Sequence, residues 1–173
     1  VTALDLMELR QAPAGREQAV IRRQVRHLTR LVDDLLDVSR ITRGKVELRK
    51  ATVPLRDVLA RAVEMASHLI EQKKQYLSVD VPELDWHGDP ARLAQVVANL
   101  LTNAARYTPE HGHIWLDAHA AGGQVTLQVR DDGMGMSEAL LPHVFEAFVQ
   151  GERKLAGAVG GLGIGLALVR NPV

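Results

Sequence analysis

The most regular pattern of apolar and polar positions lies in residues 89–108 (DPARLAQVVANLLTNAARYT). Apolar side chains recur there at spacings of three and four residues, at Leu93, Val96, Val97, Leu100 and Leu101. Asp89 followed by Pro90 is a favourable pair for an N-cap and first turn. This stretch is therefore predicted to be an amphipathic helix that buries one face.

Two asparagines interrupt the apolar sequence of this predicted helix. Asn99 and Asn103 are one turn apart and stack on one side, with Arg106 and Tyr107 about a turn further on. Asparagine is a mediocre helix former, so the pair calls for a reason. The structural alternative is a pair of exposed or hydrogen-bonded polar residues, and the functional alternative is a ligand site.

A second long helix is predicted from Arg16 to about Thr42. Its apolar seam follows a heptad repeat, at Ile21, Val25, Leu28, Val32, Leu35, Ser39 and Thr42. A shorter helix over residues 2–10 can fold back on it as a hairpin, which leaves apolar surface uncovered. We therefore expect a dimeric four-helix bundle, with a homodimer contact through residues 16–42. Packing of the long helix on its own domain is the alternative.

From residue 44 onward the pattern changes to strands and helices in succession. Strands are predicted over residues 46–54 and 76–81, around Trp86, and over residues 114–119 and 124–129, with a helix over residues 55–72. Ala-Gly-Gly joins the last two strands as a hairpin. This order predicts the α+β class, a two-layer α/β sandwich with helices on one face of a mixed sheet, and not a doubly wound fold.

Two glycine-rich segments follow the hairpin. Residues 131–135 (DDGMG) come off the last strand, and residues 160–165 (GGLGIG) open a short helix over residues 166–170. Glycine lets the backbone approach a ligand closely, and a glycine turn at a helix N-terminus directs N–H groups at an anion. Either segment alone is more often a simple turn. No Gly-Lys-Ser/Thr occurs and no strand precedes the second segment, which excludes a P-loop and a dinucleotide fingerprint.

The residues between the two glycine segments divide into two parts. Residues 142–148 (PHVFEAF) are predicted to form a short helix that closes on the core. Residues 149–159 are polar, rich in small side chains and without periodicity. Beside a phosphate site, such a stretch is a candidate lid.

Composition narrows the classes of partner. The 173 residues carry 21 basic and 21 acidic side chains, so net charge does not favour nucleic acid or an anionic membrane. Only 3% of residues are aromatic, which argues against a stacking platform for single-stranded nucleic acid. Cysteine is missing, so disulfides and thiolate metal sites are excluded. The longest apolar run, residues 159–169, is too short to span a bilayer, and we expect a cytoplasmic location without direct membrane contact.

Four segments of the chain resemble, in order, the motifs of sensor histidine kinases. They are NLLTNAARYT for the N-box, DDGMG for the first glycine box, FEAF for the F-box and GGLGIGLALV for the second glycine box. Residues 23–50 resemble the second dimerisation helix and linker, particularly of hybrid kinases. The resemblance implies an ATP-binding domain of the gyrase, Hsp90, histidine kinase and MutL superfamily, with the Bergerat fold, over residues 44–173. Residues 1–43 would then be part of a dimerisation and phosphotransfer hairpin.

This resemblance implies ATP and Mg²⁺ as cofactors and assigns roles to the first two motifs. Asp131 would accept a hydrogen bond from the exocyclic amine of adenine, while Gly133 and Gly135 let the backbone reach the base. Asn103 would bind Mg²⁺ through its amide oxygen, and Asn99 would support it.

The remaining site residues are expected around the phosphates. Arg106 would face a phosphate and Tyr107 would lie against the nucleotide. Backbone N–H groups of the second glycine box would bind the phosphates, in the segment that includes Gly161, Leu162, Gly163 and Gly165. Lys154 in the candidate lid would add positive charge.

The implied activity is transfer of the ATP γ-phosphoryl group to a histidine, and onward to an aspartate of a response regulator. The acceptor box of the family has no counterpart here, because residues 7–13 only faintly echo it and lack histidine. His27 and the other six histidines have no ligand spacing and are interpreted as bundle or surface residues. The family continues beyond Val173 with more helix and two strands, so we expect a fragment that does not phosphorylate itself.

Three other functions are alternatives to a histidine kinase. An ATP hydrolase of the same fold would carry glutamate at the place of Asn99 as the base that activates water, and an amide cannot do that. A protein serine kinase of this fold is not expected to have the long dimerisation helix. A degenerate kinase acting as a dimeric scaffold is disfavoured by the intact glycine boxes.

Overall fold

The structure is a computed structural model that describes residues 48–146, residues 165–170, and Ile21, Val25, Val149 and Gly163. Ile21 and Val25 are both helical and exposed. The remainder of the predicted N-terminal hairpin and residues 150–162 lie outside the described residues.

Strands and helices follow one another along the described part of the chain. They are β1 (Ala51–Pro54), α1 (Leu55–Gln72), β2 (Tyr76–Asp80), β3 (Asp85–Gly88), α2 (Pro90–Tyr107), β4 (His113–Ala121), β5 (Gln124–Asp131) and α3 (Gly165–Val169). None of the helices described is long and apolar enough to cross a membrane.

The strands form two sheets. In the larger sheet β4 is central: β2 runs parallel to it, and β5 pairs with it antiparallel, with Leu116 opposite Val129. Gly122 and Gly123 form the hairpin turn, both with positive φ (58° and 77°), as a two-residue type I′ connection requires. The smaller sheet is the antiparallel pair of β1 and β3, in which Val53 lies opposite Trp86.

The core lies between the two long helices and one face of the larger sheet. Ile114, Leu116 and Ala118 of β4 are buried and the residues between them are not, because successive side chains of a strand point to opposite faces. The largest fully buried aliphatic side chains are Leu55, Val58, Leu59, Val97, Leu101, Ile114 and Leu116. Burial of each such aliphatic side chain contributes roughly 1.5–3 kcal/mol. The predicted two-layer α+β sandwich is confirmed.

Three predicted elements differ from the structure. The strand expected over residues 46–54 covers only residues 51–54 among the described residues, because only these pair with β3. The two strands of that pair form a sheet of their own instead of joining the mixed sheet. The helix expected over residues 142–148 is wrong for residues 142–146, which form successive turns. Phe145 is 42% exposed there, so the segment lacks the buried apolar face that stabilises a short helix.

Candidate functional site

The amino-terminal end of α2 is held by the side chain of Asp89. Its Oδ1 atom accepts hydrogen bonds from the backbone N–H groups of Ala91 (3.1 Å) and Arg92 (3.2 Å), and its Oδ2 atom accepts one from Arg49 (2.9 Å). Burial by itself would raise the pKa of this carboxyl group, but the three N–H groups outweigh it and the pKa is lowered. The N-cap predicted from the Asp-Pro pair is therefore present, and it also ties α2 to the segment before β1.

The carboxyl-terminal end of α2 is held by two side chains from the loop between α1 and β2. Lys73 Nζ donates to the carbonyl oxygens of Ala105 (2.9 Å), Arg106 (2.6 Å) and Thr108 (2.9 Å). Gln75 Nε2 donates to the carbonyl oxygens of Ala105 (2.9 Å), Thr108 (2.8 Å) and Pro109 (3.2 Å). The last carbonyls of a helix have no partner within it, and a cation there also suits the helix dipole.

Sequence reasoning did not identify this pair, which we call the Lys73–Gln75 clamp. Both residues follow α1, about 30 positions before the carbonyls that they bind, so no local pattern relates them. Burial lowers the pKa of the Lys73 ammonium group; Glu110 nearby opposes this effect and Arg106 adds to it. Hydrogen bonds to charged groups contribute about 1.5–3 kcal/mol each, so the ammonium group is a strong part of the clamp.

The middle of α2 carries the two asparagines. Asn99 is half-buried, and its Nδ2 atom donates to the carbonyl oxygen of Gly165 (3.2 Å), which lies 66 positions later and begins α3. Asn103 is also half-buried, and within the described part of the chain its side chain makes no hydrogen bond. Its amide oxygen is therefore available to a ligand.

The first glycine segment meets the end of the same helix. The backbone N–H of Met134 donates to the carbonyl oxygen of Tyr107 (3.3 Å). A Cβ atom at Gly133 would lie 2.7 Å from that oxygen and 2.6 Å from Asp131 Oδ1, so only glycine fits between them. Asp131 is exposed, and its Oδ1 atom accepts a hydrogen bond from the Gly133 N–H (2.9 Å).

Asp132 fixes the base of this segment against β4. Its Oδ1 atom accepts a hydrogen bond from the His113 backbone N–H (2.8 Å), and its Oδ2 atom lies 3.3 Å from His113 Nδ1. The Asp132 backbone N–H in turn donates to the His113 carbonyl oxygen (3.2 Å). Sequence reasoning assigned no role to either residue, because their pairing depends on the hairpin register.

The structure thus brings part of the expected site together on α2. Asn99 contacts Gly165, and Tyr107 contacts the segment with Gly133. Arg106 and Asn103 lie on the same helix, and Gly135 and Gly163 both have positive φ (67° and 73°). The expected phosphate ligands Gly161, Leu162 and Lys154 lie outside the described residues.

Residues 88–173 match the family described as histidine kinase-, DNA gyrase B-, and HSP90-like ATPase. The chain belongs to this family. It is 34% identical to the sensor protein KdpD of Escherichia coli, over 92% of this chain and 17% of KdpD. The signal transduction histidine-protein kinase BarA of the same species is 33% identical over 88% of this chain. The chain spans only 17% of the length of each of these two relatives.

Solved structures agree with this family assignment. The full-length ShkA structure in complex with AMPPNP has a TM-score of 0.74 and 31% identity, and the match covers 88% of this chain and 32% of ShkA. The histidine kinase AdeS of Acinetobacter baumannii has a TM-score of 0.73, with 90% of this chain and 71% of AdeS covered. At 22% identity, AdeS supports the fold alone.

Proposed function

We propose that this chain binds ATP with Mg²⁺ as the nucleotide-binding part of a sensor histidine kinase. The γ-phosphoryl group would pass to a histidine outside these 173 residues, and then to an aspartate of a response regulator. The observation that carries the proposal is the convergence of both glycine segments on α2. The Asn99–Gly165 and Tyr107–Met134 hydrogen bonds join parts of the chain that are distant in sequence.

Asp131 is proposed to read the adenine base. It ends β5 with an exposed carboxylate, an acceptor suited to the exocyclic amine of adenine. The Gly133 N–H holds one carboxylate oxygen in place, while the other carries no hydrogen bond within the described part of the chain. Gly133 and Gly135 carry no side chain, so a base can approach the backbone at these two positions. Tyr107, which is 47% exposed at the end of α2, would lie against the nucleotide.

Asn103 is proposed as the protein ligand to Mg²⁺, with Asn99 in support. Among the described residues no group of three or more histidine, cysteine, aspartate or glutamate side chains could hold a metal ion. Magnesium commonly takes one or two protein oxygens and completes its shell with phosphates and water, so a single amide oxygen fits this chemistry. When bound, the ion would neutralise charge on the phosphates.

The phosphates are proposed to lie beside the second glycine box. Backbone N–H groups of Gly161, Leu162, Gly163 and Gly165 would donate to them, with Arg106 and Lys154 adding positive charge. Asn99 holds the last of these glycines on α2 through the Gly165 carbonyl oxygen. These groups position and neutralise the transferred group, which is the main protein contribution to phosphoryl transfer.

Phosphoryl transfer is favoured over hydrolysis by the chemistry of Asn99. Its Nδ2 atom donates to Gly165, and an amide cannot accept a proton from water as a carboxylate does. We also propose that the whole protein forms a homodimer through residues 16–42 and recognises the receiver domain of a response regulator. These two proposals rest on the similarity to sensor histidine kinases.

Titration of the 173-residue chain with a fluorescent ATP analogue, with and without Mg²⁺, tests the nucleotide site. Asp131→Asn should weaken binding by about tenfold or more, since hydrogen bonds to charged groups contribute about 1.5–3 kcal/mol. Asn103→Ala should remove the Mg²⁺-dependent part of the affinity. Asp80→Asn, at an exposed carboxylate on β2, is the matched control and should bind as the original chain does.

Equal affinity in all four proteins would contradict the proposed site. The phosphotransfer step requires a longer chain that includes the acceptor histidine. We expect that chain to form an acid-labile, base-stable phosphoprotein with labelled ATP, as a phosphohistidine does. An acid-stable product would instead favour the serine kinase alternative.

A further inference from the structure

We propose that Lys73 and Gln75 are positioning residues for the nucleotide site. By holding the end of α2, they orient the Tyr107 carbonyl group, which accepts a hydrogen bond from the Met134 N–H. This bond in turn positions the Asp131–Gly135 segment. The inference rests on the proposed function and extends it to two residues that are not expected to touch the nucleotide.

Five successive carbonyl groups at the end of α2 accept hydrogen bonds from other parts of the chain. The clamp binds the carbonyl oxygens of residues 105, 106, 108 and 109. Between them, the Tyr107 carbonyl oxygen accepts instead from Met134. Peptide groups are planar and turn as rigid units, so fixing the carbonyl groups on both sides restricts the direction of this one. The clamp therefore determines where the glycine segment can bind.

The contact between Gly133 and the Tyr107 carbonyl group is close. The space at Gly133 is too small for a Cβ atom, because the Tyr107 carbonyl group and the Asp131 carboxylate lie on either side. A small rotation at the end of α2 would thus press on Gly133 or break the Met134 bond. Either change would move Asp131, whose carboxylate is bonded to the same glycine.

The clamp places polar atoms in a buried environment. Gln75 and Thr108 are buried, and among the described residues Gln75 Oε1 and Thr108 Oγ1 are buried without a hydrogen-bond partner. An unpaired buried acceptor destabilises a fold, so burial of the Gln75 amide carries a cost. The bonds from Gln75 Nε2 to the carbonyl oxygens of Ala105, Thr108 and Pro109 offset this cost, and the same bonds fix the direction of those carbonyl groups.

The test compares Lys73→Met with Lys74→Met in the 173-residue chain. Lys74 is the exposed neighbour, and its side chain makes no hydrogen bond within the described part of the chain. Two quantities are measured at a temperature at which circular dichroism shows each variant to be folded. They are the exchange rate of the Met134 amide hydrogen without nucleotide, and the dissociation constant of a fluorescent ATP analogue.

We expect Lys73→Met to speed exchange at Met134 and to weaken nucleotide binding by about tenfold, as loss of an outer-shell partner commonly does. Lys74→Met should change neither quantity. Lys73→Arg retains a cationic donor and should recover part of the affinity. If Lys73→Met does not fold, Gln75→Met removes the other half of the clamp and is expected to show both effects.

Two results would overturn the inference, and they are distinguishable. If the original chain binds nucleotide and the folded clamp variants bind it equally well, the clamp has only a structural role and the proposed function stands. If the original chain binds no nucleotide, the proposed function fails and the inference fails with it.

Discussion

The two ends of α2 are stabilised in different ways. The first turn is capped by Asp89, the residue that immediately precedes the helix, with one added bond from Arg49. The last turn is held by Lys73 and Gln75, which come from a loop about 30 positions earlier. The proposed site residues Asn103, Arg106 and Tyr107 lie near the second end. Two of the three described bonds to the Asp89 carboxylate are local, and the third comes from Arg49, 40 positions earlier. The side-chain bonds described at the functional end are all tertiary.

The largest effect is expected from disturbing the contact between Gly133 and Tyr107 at the carboxyl-terminal end of α2. In Gly133→Ala the added methyl group would meet the backbone of Tyr107 and the Asp131 carboxylate. Because the Tyr107 backbone cannot move aside without disturbing α2, the free energy of unfolding should fall by about 1–3 kcal/mol, as in overpacked sites. Nucleotide affinity should fall as well. Urea unfolding and nucleotide titration measure the two effects, and unchanged affinity would show that this contact does not organise the site.

A smaller effect is expected from removing the Asp89 cap at the start of α2. Asp89→Ala removes the N-cap of α2 and the acceptor for the Arg49 N–H. The free energy of unfolding should fall by about 1–2 kcal/mol, the usual range for loss of a good cap. Nucleotide affinity should change little at a temperature where the variant is folded. Asp80→Ala is the control, and an affinity loss equal to that of Gly133→Ala would mean that the two ends are not separate.

A third substitution strains a region remote from both ends. Gly122 in the hairpin turn has φ of 58°, and no atom of the described residues lies within 4 Å of an added Cβ atom. Gly122→Ala should therefore lower the free energy of unfolding by about 1 kcal/mol through backbone strain alone. Nucleotide affinity should be unchanged. A loss of affinity in this variant would show that general destabilisation, not the contact with Tyr107, explains the effect of Gly133→Ala.

The smallest effect is expected in the pH dependence of the free energy of unfolding, through the Asp89 cap at the start of α2. The pKa of Asp89 lies below its ordinary value of 3.8, so its charge stabilises the fold at neutral pH and this contribution is lost as pH falls below about 4. Asp89→Asn keeps one oxygen to cap the helix but replaces the oxygen that accepts from the Arg49 N–H by an amide NH₂ group. The free energy of unfolding at pH 7 should fall by about 0.5–1 kcal/mol through loss of this bond and of the charge at the helix dipole. Urea unfolding at pH 7 and pH 3 should show this difference shrinking. A difference independent of pH would exclude the charge as its source.

Much of the fold could be predicted because its helices have strong periodicity. The bounds of α1 agree with the predicted residues 55–72, and α2 begins directly after its predicted N-cap, Asp89. The predictions fail where secondary structure depends on a pairing strand or a packing surface elsewhere in the chain. Residues 48–50 alternate like a strand but pair with no strand among the described residues. Residues 142–146 have a helix-compatible sequence but bury no apolar face against the part of the chain that the structure describes.

The pattern of residues along the chain was enough to predict most of the helices and strands, the buried faces of α1 and α2, the N-cap and the identity of the motif residues. These depend on the spacing of side chains along the chain and on neighbours within one turn. Three sets of bonds depend on the tertiary structure instead: Asn99 with the Gly165 carbonyl oxygen, the Met134 N–H with the Tyr107 carbonyl oxygen, and Lys73 and Gln75 with the end of α2. Such bonds join residues about 27 to 66 positions apart, so they form only when packing of the core has brought those segments together.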